Sequence, residues 1–166
     1  MLRHAAIGGG FDLTPGTVSR TLAPALLIAV ASPAYIRGRL TPVDPTGLAD
    51  LDGIVMRSLR TGRITQRQIR NADGLELPIA LKQTLVVNDP AAMRAASLLG
   101  LGVTMMLSRM PCPTWSEENW WVDAGPISIY YANRTLLPSK TRVFVDFIAE
   151  LFQRERYSER FARSLG

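Results

Sequence analysis

Three short stretches of this chain combine residue types suited to holding a small anion: Gly8-Gly9, Ser32-Pro33 and Asn88-Asp89-Pro90. Each follows an apolar run that reads as a strand, namely Ala5–Ile7, Leu26–Ala31 and Leu85–Val87. A serine or aspartate followed by proline starts a helix, because the side chain accepts from free N–H groups and proline suits the first helical position. Such a start presents backbone donors and the positive end of the helix dipole to whatever lies above the sheet. Glycines after a strand let a ligand approach the backbone closely. In open α/β sheets ligands bind outside the carboxyl ends of the strands. The same residues also serve as plain caps: for Asp89 the cap is the weightier reading, and for Ser32 the two stand level.

Other chemistries find little to work with. The single histidine, His4, has no serine or aspartate placed by spacing to form a nucleophile system. The single cysteine, Cys112, excludes an internal disulfide and lies among prolines with no base to activate it. Gly8-Gly9-Gly10 lacks the lysine and hydroxyl of a phosphate loop, and Gly100-Leu101-Gly102 follows a helix where a dinucleotide fingerprint would precede one. Carboxylates are scattered, and no Cys/His/carboxylate cluster has metal-ligand spacing. The chain therefore reads as a binding protein and not an enzyme, with no catalytic residue, metal or cofactor.

The elements that must position these residues follow from periodicity. Leu85–Met106 reads as a βαβ unit: a β-branched strand predicted to be buried on both faces, a helix from Pro90 with Met93, Ala96 and Leu99 inward, Gly100 as its stop, and a strand from Val103. Val18–Leu22 and Leu26–Ala31 are expected as two strands parted by Ala23-Pro24, and Gly53–Ser58 as another. Ile64–Ile69 and Leu75–Ile79 suggest a hairpin turning at Asp73-Gly74, and Ile127–Ala132 a late strand. Pro138–Gln153 is the strongest helix, with Val143, Phe144, Phe147, Ile148, Leu151 and Phe152 expected on its buried face. The sum is an α/β protein.

Composition agrees. At 166 residues and 47% hydrophobic, the chain is long and apolar enough for a sizeable core. Net charge is +5, but the arginines are dispersed from Arg3 to Arg163 and no helix-turn-helix pattern is visible, so direct DNA binding is not expected. The longest apolar run, Pro24–Pro33, is too short to cross a bilayer, and the N-terminus has no signal-peptide pattern. A cytoplasmic chain without membrane contact is expected.

Four segments in order, LAPALLIAVASPAYI (22–36), TPVDPTGLAD (41–50), LVVNDPAAMRAASLLGLGVTMM (85–106) and WWVDAGPISIYYANRTLLPSKTRVFVDFIAELF (120–152), resemble the effector-binding domain of LysR-type transcriptional regulators. The resemblance implies a periplasmic-binding-protein type II-like fold of two α/β lobes, with a small-molecule effector, commonly an organic acid, in the cleft between them. It implies a second lobe over 25–131, and a first lobe from 1–24 and 132–166 that lacks its N-terminal part. It places Gly8, Gly9, Ser32, Pro33, Asn88, Asp89, Val103 and Thr104 along the cleft, and implies side-by-side association of two copies. Two departures stand out. The family's DNA-binding region is missing, and Ser108–Asn119 is short and unpatterned, as a frame slip would leave it. A solute-binding protein of similar fold serving a transporter is the alternative.

Overall fold

The computed structural model describes residues 5–9, 15–59, 61–64, 67–107, 120–132 and 137–162. Three sequence readings, those of His4, Cys112 and 108–119, lie outside them. The chain divides into two compact units, one reaching to Leu26 and resuming at Asp123, the other running from Leu27 to Val122.

In the first unit β1 (Ala6–Gly8) pairs antiparallel with β8 (Val122–Ala132), and β8 neighbours β2 (Thr17–Val30). Leu22, Ile129 and Tyr131 on the strands meet Val145 and Ala149 of α3 (Ser139–Arg154), and all five are buried. A short α4 (Tyr157–Ala162) follows after Arg156 takes the left-handed conformation at φ 51°, which ends α3 and reverses the chain locally.

The second unit holds α1 (Pro33–Ile36), a 3-10 helix (Pro45–Asp50), β3 (Asp52–Met56) and the hairpin β4 (Gln68–Arg70) with β5 (Glu76–Pro78). After these come β6 (Lys82–Val87), α2 (Pro90–Leu98) and β7 (Thr104–Leu107). Strands β3 and β6 run parallel with Met56 opposite Val87, Val103 bridges Gly53 in parallel, and β7 pairs antiparallel with the end of β2. The βαβ unit is thus a crossover that skips a strand: β3 lies between β6 and the start of β7. Ile54, 1% exposed, packs under Met93 and Ala96 of α2 and fixes the helix on the sheet.

Several expectations change. Val18–Leu22 and Leu26–Ala31 are not separate strands; β2 is continuous for 14 residues through Pro24. Pairing with β7 begins only at Leu27, so on that side Pro24 removes no ladder donor. β8 starts five residues before Ile127, passing Gly125 at φ 82°, a conformation glycine adopts without strain. Val86 is exposed and not buried on both faces, since α2 covers only the Leu85/Val87 side of β6. Leu99 lies outside the α2 core at 76% exposure. The α3 face is rotated: Val145 and Ala149 are buried, whereas Val143, Phe144 and Phe147 are exposed.

Candidate functional site

Both sequence-predicted helix starts form caps. Ser32 Oγ accepts from the Tyr35 amide at 3.2 Å, and Asp89 Oδ1 accepts from the Ala91 amide at 3.2 Å. Pro33 and Pro90 hold the first helical positions, as their fixed φ and missing N–H favour.

The two starts nevertheless occupy different ends of the second unit. Asn88 and Asp89, both exposed, follow the carboxyl end of β6, at the N-terminus of α2. Ser32 lies instead against the other end of that helix: a Cβ added to Gly100 would stand 3.4 Å from Ser32 Oγ. Nine helical residues separate these ends by about 13 Å. Val103 and Thr104 are fully buried between them, and the Thr104 hydroxyl is engaged, donating to the Ile54 carbonyl at 2.9 Å. Gly8 and Gly9 belong to the first unit, where Gly8 pairs with Ser128.

Asn88 and Asp89 have a neighbour that sequence reasoning missed. Arg57 ends β3 and its amide donates to the Val87 carbonyl at 2.7 Å, so its exposed residue stands at the same carboxyl end as Asn88. The signal was present, a basic residue closing an apolar strand, but only the parallel β3–β6 pairing brings it there. The arrangement combines a cation, a neutral amide and a helix N-terminus that the Asp89 carboxylate already caps, so Arg57 and Asn88 are the groups left to meet an anion of carboxylate size.

The other end of the unit is built for rigidity. The Tyr35 hydroxyl donates to Asp52 Oδ2 at 3.2 Å and accepts from the Asp52 amide at 2.8 Å, while Thr84 Oγ1 donates to Asp52 Oδ1 at 3.1 Å. Arg39 lies 4.0 Å above the Tyr35 ring centre. Burial, followed by the nearby Asp52 charge, pushes the Tyr35 phenol above its ordinary pKa. No sequence spacing announced this cluster, whose members are 17 and 32 residues apart. Among the described residues no group of three or more His, Cys, Asp or Glu side chains is placed to hold a metal, and no helix is long and apolar enough to cross a membrane.

Residues 3–153 match the family described as the LysR substrate binding domain. No curated protein matches the chain. Among solved structures, it is similar to the regulatory domain of the C227S variant of AphB from Vibrio vulnificus, with a TM-score of 0.68 and 21% identity over 87% of this chain and 72% of that one. It is also similar to the regulatory domain of CrgA, a LysR-type transcriptional regulator from Neisseria meningitidis, with a TM-score of 0.64 and 18% identity over 90% and 75%. Against full-length AphB of Vibrio cholerae, described as a virulence activator, the TM-score is 0.68 at 19% identity, covering 89% of this chain and 51% of that one. The fold is thus the periplasmic-binding-protein type II-like α/β fold of LysR regulatory domains.

Proposed function

This chain belongs to the LysR substrate binding domain family, and from that premise we propose that it senses a small organic carboxylate at the carboxyl end of the β3–β6 pair. LysR regulatory domains bind small-molecule effectors, and the chain is an effector-sensing domain of that kind. The observation that carries the finer reading is the meeting of Arg57, Asn88 and the Asp89-capped N-terminus of α2 at one edge. Arg57 supplies the charge, Asn88 a donor to the second carboxylate oxygen, and Asp89 holds the helix start in place. Gly8 and Gly9 are proposed as effector contacts on the first unit, their lack of side chains leaving the backbone open to a ligand. Ser32, Pro33, Val103 and Thr104 are proposed to support the site through the ends and floor of α2 and β3. The chain works in the cytoplasm, catalyses no reaction, and binds no operator DNA itself.

Thermal-shift screening of the full chain against aliphatic and aromatic carboxylates tests this reading. A ligand that binds only the folded state raises the melting temperature as its concentration exceeds the dissociation constant. Arg57→Gln should weaken the best ligand by roughly tenfold, the loss of one charged hydrogen bond, and Asn88→Ala should weaken it less. A ligand whose affinity is unchanged in both variants would place sensing elsewhere.

A further inference from the structure

The first unit contains an open cavity of about 400 Å³ between the end of β8 and the opening turns of α3. Among the described residues it is lined by Tyr131, Leu137, Arg142, Val145 and Asp146, all within that unit. The volume is in the range of small-molecule sites. Its floor is apolar and fixed: Tyr131 is 2% exposed and Val145 3% exposed, and both belong to the core that joins α3 to the sheet.

The polar groups around this floor favour an anion. Arg142, Val145 and Asp146 share one face of α3 by their three- and four-residue spacing. Asp146 is already compensated, its carboxylate lying 3.5 Å from the Arg20 guanidinium. Arg142 is exposed, and neither its guanidinium nor the Tyr131 hydroxyl has a hydrogen-bond partner among the described residues. The pair Arg20–Asp146 sums to zero, so among the described residues Arg142 sets the sign of the cavity. Helix α3 adds to it: Pro138 at its cap makes no side-chain bond, and its first turn holds no acidic residue. Among the described residues the positive end of the helix therefore has no acidic side chain in its cap or first turn.

We propose that this cavity is a second ligand site, separate from the Arg57–Asn88 edge, for a small carboxylate with an apolar body. The carboxylate meets the Arg142 guanidinium and the Tyr131 hydroxyl; the body covers Leu137, Val145 and the Tyr131 ring. The Tyr131 hydroxyl and the Arg142 guanidinium, with the apolar floor between Leu137 and Val145, give the ligand one orientation. A neutral ligand of the same shape would forgo the charged contact, and a cation would be repelled.

Isothermal titration of the full chain with phenylacetate tests the proposal. Saturable binding is expected, with phenylacetamide, its uncharged isostere, at least about tenfold weaker. Arg142→Gln should weaken phenylacetate by about tenfold or more, and Tyr131→Phe by about threefold or more, the range for a hydrogen bond to a charged and a neutral partner. Arg57→Gln should leave this binding within about twofold of the original, whatever it does to a ligand at the β3–β6 edge. Binding that survives both Arg142→Gln and Tyr131→Phe, that is lost in Arg57→Gln alone, or that is absent at millimolar phenylacetate would overturn the assignment. The Arg57→Gln arm keeps the two sites distinguishable.

Discussion

Tyr35 and Asp52 are tied twice, the phenol donating to the carboxylate at 3.2 Å and accepting from the amide of the same residue at 2.8 Å. One side chain thus fastens α1 to the first residue of β3 while itself being only 3% exposed. Tyr35→Phe would leave the Asp52 amide without its partner at little change in volume. We expect a loss of about 1–3 kcal/mol, read as a lower urea midpoint at unchanged slope. An unchanged midpoint would show that solvent satisfies Asp52 equally well.

The same phenol predicts an alkaline limit. Its pKa is raised in the fold by burial first and by the Asp52 charge next, from an ordinary value of 10.0. A group whose folded pKa is raised contributes stability that is fully present below the unfolded pKa and is lost as pH rises through the folded one. Stability should therefore decline above pH 10.0 in the original chain. In Tyr35→Phe that decline should be smaller. Parallel pH curves for the two proteins would remove the phenol from the explanation.

Gly102 is a steric requirement. Its φ is 154°, and an added Cβ would lie 2.4 Å from the Asp52 carbonyl oxygen, in the ladder that joins Val103 to β3. Gly102→Ala should cost more than about 3 kcal/mol, enough to broaden or abolish the cooperative melt. Gly74→Ala, in the hairpin turn at φ 83° with open space around it, should cost about 1 kcal/mol. Equal melting temperatures for the two variants would contradict the clash.

The orientation of α3 can be tested by truncation on its two sides. Val145→Ala removes buried methyl groups from the core of the first unit and should cost about 1–3 kcal/mol. Phe147→Ala removes a larger side chain that is 54% exposed and should change stability by less than about 0.5 kcal/mol. The reverse order, measured by chemical denaturation, would restore the face expected from hydropathy alone.

Thr104 separates support from contact. Its hydroxyl is buried and donates to the Ile54 carbonyl, so Thr104→Val should lower stability by about 1 kcal/mol. If the proposed edge is the effector site, affinity in Thr104→Val stays within about twofold, while Arg57→Gln loses roughly tenfold. Titration of both with the best carboxylate gives the comparison. An affinity loss confined to Thr104→Val would make that residue the contact.

Local signals in the chain carried far. Asp89-Pro90 and Ser32-Pro33 set helix starts because capping and the proline ring act within one turn, and both caps form as the residue types require. Asp73-Gly74 set the hairpin whose strands pair Ile69 with Leu77. Where the partners are distant, local pattern does not decide the outcome. Phe144 and Phe147 form as apolar a stripe as Val145 and Ala149, and only the strands beneath α3 decide which stripe is covered. Val86 has the composition of a central strand, yet α2 covers only one face of β6.

What the sequence determined by itself is therefore the set of short-range decisions: helix starts, the hairpin turn, the α/β order, and enough ordered resemblance to indicate the LysR effector domain. The tertiary structure alone decided which of those starts share a location. Ser32 and Asp89 look alike in sequence, but an intervening helix of nine residues sends one to each end of the unit. Parallel pairing of β3 with β6 then brings Arg57 to Asn88 across about thirty residues of chain. Caps and turns depend on neighbours within a few bonds, whereas a binding edge depends on strand order, which no single segment encodes.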